Sequence, residues 1–153
     1  LKVEENLRLM GLTLPEAPKP VASYVPFVRT GNLIYTSGQI CLENGELKYK
    51  GKAGREFTVE QAAEAARLCC LNCLAVIKSA VGDLDKVKRV VKVVGFVNSA
   101  PGFNAQPKVV NGASDLLVTI FGEAGKHARS AVGCSDLPMD TAVEVEMVVE
   151  IAE

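Results

Sequence analysis

The chain has 153 residues, 48% of them apolar and 23% charged, with 17 lysines and arginines against 18 acidic residues. That is about one domain of chain, rich enough in apolar residues to build a core without disulfide or metal staples, and it excludes disorder. A net charge of −1 excludes a general attraction to nucleic acid or anionic membranes, and no apolar run is long enough to span a bilayer.

Residues 1–20 stand apart from residues 21–153. Residues 4–10 predict a short helix that Gly11 ends, followed by an arm made extended by Pro15, Pro18 and Pro20. The start carries no long apolar secretory segment. From Tyr24 the pattern turns to strand: 24–28 and 33–36 flank a turn at 29–32, where Gly31 supplies the bend. A short extended piece follows at 46–50. Thr58-Val59-Glu60-Gln61 has the form of a capping box, and apolar residues from Ala62 to Ile77 recur at three- and four-residue spacing until Gly82 closes the helix. A β-branched strand at 87–97 precedes a second helix, 108–121, stopped by Gly122. Strands at 129–134 and 142–151 flank a turn at 136–140.

The order β-β-(β)-α-β-α-β-β predicts an α+β fold with two helices on one face of a sheet. Yet strand 87–97 has valines at both parities, and strand 142–151 adds Val148 to its glutamate-bearing face. The second sheet face therefore needs a cover, and another copy of the chain supplies one at least cost.

Few residues carry chemistry. Cys69, Cys70 and Cys73 cluster, but on the apolar stripe of a helix and far in sequence from the one histidine, His127. They read as small core residues rather than zinc ligands, and no metal or cofactor is expected. An odd total of five cysteines fits a reducing compartment, so the expected location is cytoplasmic. Ser37 lies in no nucleophile elbow, and phosphate-loop and dinucleotide fingerprints are absent. The basic run Lys86, Lys88, Arg89 and Lys92 lacks aromatic partners and adjoins Asp83 and Asp85, which fits a solvated strand entrance. Arg129 and Glu144 fall on consecutive strands; if those strands are antiparallel neighbours, the two residues approach each other, by periodicity alone as a cross-strand ion pair.

Two motifs extend this reading. Thr30-Gly31-Asn32-Leu33-Ile34-Tyr35-Thr36-Ser37-Gly38-Gln39-Ile40, preceded by Tyr24, resembles the early hairpin of the YjgF/RidA family, the reactive-intermediate deaminases once labelled L-PSP endoribonucleases. Ala128-Arg129-Ser130 with Leu137-Pro138-Met139-Asp140-Thr141-Ala142-Val143-Glu144-Val145-Glu146 resembles its C-terminal signature. The match runs from about Ala22 to the C-terminus; the N-terminal arm resembles a longer branch of the family.

The resemblance implies a chorismate-mutase-like α+β subunit in a homotrimer with a central β-barrel and ligand clefts between subunits. It implies a hydrolase that turns 2-imino acids into 2-keto acids and ammonia. Arg129 matches the clamp on the substrate carboxylate, a role suited to its planar fork. Glu144 matches the residue that activates water. Tyr24, Ser37, Gly38 and Asn111 match cleft residues, and Ala131 stands where the family carries cysteine, leaving only a backbone N–H. No cofactor is implied. Two rival readings are a non-catalytic module that binds a small carboxylate metabolite and, against the net charge, a ribonuclease.

Overall fold

The computed structural model describes residues 2–19 and 23–152. Pro20 at the end of the expected arm, the boundary at 20/21 and Ala22 lie outside the described residues. In chain order the elements are α1 (Val3–Leu9), β1 (Phe27–Thr30), β2 (Leu33–Thr36), β3 (Gln39–Ile40), β4 (Leu42–Glu43), β5 (Glu46–Leu47), α2 (Val59–Val81), β6 (Val87–Asn98), α3 (Gln106–Phe121), β7 (Ala128–Cys134) and β8 (Val143–Ile151). The main sheet has the order β1-β2-β8-β6-β7, with β3 also paired to β8, and β4-β5 form a separate ribbon.

The helices begin and end where local chemistry requires. Thr58 Oγ1 accepts from the Gln61 N–H while the Gln61 side chain accepts from the Thr58 N–H, a complete capping box at the start of α2. Gly82 and Gly122, both at positive φ, end α2 and α3. Pro107 sits in the first turn of α3, where its missing N–H costs nothing. Gly112 lets α2 and α3 touch: a Cβ there would lie 1.9 Å from the Ala63 carbonyl oxygen. α1 starts one residue earlier than expected and buries Val3 and Leu7 in the common core. Glu4 pairs with Lys78 of α2, and Asn6 donates to the Ile120 carbonyl of α3. Leu12 and Leu14 continue onto that core, and residues 15–19 run beside Gln39, Ile40, Leu42 and Asn72.

β1 covers 27–30, later than the expected 24–28. Pro26 has no N–H to give a ladder, and its carbonyl instead accepts the Ser37 N–H at 2.7 Å. Pairing then continues to Thr30 opposite Leu33, so the turn contracts to Gly31 and Asn32, with Gly31 at φ 59°.

The larger correction concerns the C-terminal strands. β7 and β8 are not neighbours, because β6 lies between them, parallel to β7 and antiparallel to β8. β6-α3-β7 is a crossover unit, which is how two parallel strands must be joined.

The sheet has two distinct faces. Val143, Val145, Met147, Val149 and Ile151 of β8 are buried beneath the helices, with Val90, Val93 and Val97 of β6. Cys69, Cys70 and Cys73 complete this layer as fully buried thiols, and burial pushes all three up, Cys73 to about 12. The opposite face carries Glu144, Glu146 and Val148 in register with Phe96, Val94 and Lys92. Val28, Tyr35 and Val132, 56%, 45% and 43% exposed, lie in the rows of that face.

Candidate functional site

The expected site residues fall into two groups. The first stands at the open edge of the sheet, under α3. Arg129 pairs with Val93, which pairs with Met147, so it points to the helix face. Its Nη1 donates to Asn111 Oδ1 at 2.8 Å and to Ser114 Oγ at 3.2 Å, and its Nη2 donates to the Pro107 carbonyl at 3.4 Å. Those three partners span about two turns of α3, which holds the guanidinium in a fixed plane. Of five N–H donors, the Nε–H and one Nη2–H are left among the described residues, enough for a two-point grip on a carboxylate. Ala131 lies two residues along the same face, opposite Gly95.

The second group stands on the uncovered face. Glu144 is half-buried over the backbone of Gly38, where a Cβ would come within 2.3 Å of its Oε2. Only glycine lets the carboxylate rest there. Burial, and then the neighbouring charge of Glu146, push the Glu144 carboxyl above its ordinary range. That is the direction a general base near neutrality requires. Ser37 precedes Gly38 and donates from Oγ to the Val25 carbonyl at 2.5 Å, which ties the hairpin end to the segment carrying the exposed Tyr24.

Arg129 and Glu144 therefore do not meet within one chain. They lie on opposite faces, two strands apart, and three residues apart in register along β7. These offsets amount to roughly 10 Å in each direction. None of the five main cavities among the described residues is lined by either of them.

Two further residues join the first group without any signal in the sequence. Ser114 Oγ lies 2.9 Å from His127 Nε2, and His127 Nδ1 lies 2.6 Å from the Gly125 carbonyl oxygen. Ser114 thus links the histidine to Arg129. Ser114 lies on α3 and His127, 13 residues on, in the loop before β7, so no spacing could have paired them.

The class of protein these features define is a two-layer α+β subunit: two long helices on a mixed sheet, an arginine held by α3 at one edge and a raised carboxyl on the bare face. The chain belongs to the YjgF/chorismate-mutase-like family, whose model, described as "YjgF/chorismate_mutase-like, putative endoribonuclease", matches residues 4–151. It is 44% identical to Protein TCP17 of Trypanosoma cruzi over 98% of this chain and 94% of that one. It is 29% identical to a 2-iminobutanoate/2-iminopropanoate deaminase of Dermatophagoides farinae over 92% of this chain and 94% of that one. The crystal structure of Atu1372 from Agrobacterium tumefaciens, a protein of unknown function, superposes with a TM-score of 0.93 at 48% identity, covering 98% of this chain and 92% of that one. Among the described residues, no helix is long and apolar enough to cross a membrane.

Proposed function

We propose that this chain is a cytoplasmic hydrolase that converts small 2-imino acids to 2-keto acids and ammonia, acting as a homotrimer whose sites each combine two copies. The observation that carries the reading is the separation of two complementary half-sites: an Arg129 fork held ready by Asn111, and a Glu144 carboxyl raised by burial over Gly38. Neither half suffices for the reaction, and one chain cannot bring them together. The apolar face around Val28, Tyr35, Phe96 and Val132 is where a second copy would sit, burying its apolar surface and setting its Glu144 toward the first copy's edge. The deaminase name borne by the Dermatophagoides relative supports the chemistry.

In this reading Arg129 binds the substrate carboxylate and fixes the imine carbon. Glu144, ionised, takes a proton from a water that adds to that carbon and forms a carbinolamine. That proton passes from Glu144 to the nitrogen, completing the carbinolamine; Glu144 then takes the proton of the new hydroxyl and gives it to the nitrogen, the C–N bond breaks, and the C=O of the keto acid forms as ammonia leaves. An imine carbon is already electrophilic, so positioning and proton transfer suffice. Ser37, Tyr24 and the Ala131 N–H line the cleft.

The test is competitive. A pyridoxal-phosphate threonine dehydratase generates 2-iminobutanoate, semicarbazide traps it, and the protein is titrated in. Wild type suppresses semicarbazone formation and Arg129→Ala does not. If wild type has no effect, the hydrolase reading fails and the non-catalytic binding module takes its place.

A further inference from the structure

We propose that His127, acting through Ser114, sets how tightly the Arg129 site holds a carboxylate, and does so in step with its own charge. The proposal rests on the reading of Arg129 as an anion clamp and adds a positioning residue to it.

The hydrogen bonds fix the direction of the chain. A backbone carbonyl only accepts, so the 2.6 Å contact with Gly125 places the hydrogen on His127 Nδ1. That carbonyl has little freedom, because Gly125 is buried against α3, where a Cβ would come within 2.2 Å of the Leu117 carbonyl oxygen. In the neutral ring Nε2 then carries a lone pair, and Ser114 must donate its O–H to it across 2.9 Å. With its hydrogen committed to the ring, Ser114 presents only lone pairs to Arg129 Nη1 at 3.2 Å. When the ring gains a proton, Nε2–H becomes a donor and Ser114 Oγ accepts from both sides. The hydroxyl hydrogen is released and is free to turn toward a bound anion. A second cation then stands at most about 6 Å from Nη1, the summed length of the two bonds. Both changes favour a carboxylate, so by linkage binding takes up a proton.

The other charges around His127 are largely matched. Its cavity of 410 Å³ is shared with Arg89, Lys126 and Glu150. Arg89 pairs with Glu150 at 3.0 Å, and Lys126 pairs with Glu123 at 3.0 Å. Lys92 lies opposite Ala128 in the sheet, and Asp115 follows Ser114 on α3. Glu144 of a neighbouring copy titrates in the composite site as well, and a variant at His127 leaves that contribution in place.

The experiment is calorimetric titration of the full chain with 2-oxobutanoate between pH 5.5 and 8.5, in buffers of different ionisation enthalpy. In wild type the affinity falls by about fivefold or more as pH rises, and binding takes up protons within that range. In His127→Gln, which keeps a polar partner for Ser114 but does not titrate, the slope drops to the remainder set by Glu144 and the proton uptake shrinks. Ser114→Ala cuts the route and gives the same flattening. Because His127 is the one histidine of the chain, nitrogen NMR of its ring reads the Nδ1–H tautomer directly. Equal slopes in wild type and both variants, with binding still lost in Arg129→Ala, would overturn the coupling and leave the clamp standing. No binding by wild type at any pH would overturn both.

Discussion

Replacing Gly38 with alanine displaces the proposed base without touching it. Gly38 is not in the left-handed region, so the backbone accepts alanine. The new Cβ, however, would lie 2.3 Å from Glu144 Oε2 and 3.0 Å from its Cδ. A carbon and an oxygen rest at about 3.3 Å, so the carboxylate must retreat by roughly 1 Å. The tip of a glutamate swings at little cost, and the fold should lose no more than about 1 kcal/mol. Catalysis is less tolerant: a 1 Å misplacement of a reacting group costs on the order of 100-fold, or about 2.7 kcal/mol in the barrier. The carboxylate also moves toward water, which weakens the burial that raises its pKa. In the semicarbazide competition assay kcat/KM should fall about 100-fold, and the acid limb of its pH profile should move to lower pH. An unchanged rate in a protein with an unchanged melting temperature would show that Glu144 is not the base.

Glu144→Gln should separate function from stability. The Glu144 carboxyl lies above its ordinary range because of burial and then Glu146, so the folded state prefers the proton. Its favourable contribution is full below the ordinary carboxylate range and is lost as pH rises through the raised value. The variant should therefore melt higher than wild type at pH 7.5, with the gain shrinking toward pH 4, and should have no deaminase activity; an equal shift at both pH values would contradict this. Gly112→Ala drives a Cβ to 1.9 Å from a backbone oxygen that cannot swing aside, and should cost about 2 kcal/mol, or roughly 5 °C by calorimetry. A melting temperature like that of wild type would refute the close helix contact. Val132→Asp puts a charge on the bare sheet face. By light scattering, wild type should have three times the 16.3 kDa chain mass and the variant a single chain mass. A monomeric wild type would end the account of that face.

Much of the fold was legible because its signals are local. Thr58 and Gln61 mark a helix start by hydrogen bonds within four residues, Gly82 and Gly122 mark ends by backbone conformation, and the alternation from Val143 to Ile151 marks a half-covered strand. Strand order was not legible. Arg129 and Glu144 looked like partners across a turn at 136–140, but that connection does not fold back as a hairpin. Met139 and Asp140 adopt φ of 56° and 58°, and Asp140 Oδ1 accepts from Asn98 Nδ2 at the end of β6, so the chain is carried past β6 to its far side. The resemblance to the family named the candidate residues, and the topology places them in two groups on opposite faces of the sheet. The Ser114–His127 contact was not legible because it is set by how α3 lies over the loop entering β7, which no periodicity encodes.

The proposed trimer has Arg129 and Glu144 serve one reaction from different copies of the chain. It is tested by mixing two inactive proteins. Arg129→Ala and Glu144→Gln are unfolded together, refolded at equal concentration and assayed with 2-iminobutanoate. If each site takes its arginine from one copy and its glutamate from the next, about a quarter of the sites in randomly mixed trimers regain both groups, and activity returns to that level. If no activity returns although the mixed trimers form and each variant alone is folded, the two residues do not act together across copies, and the account is wrong.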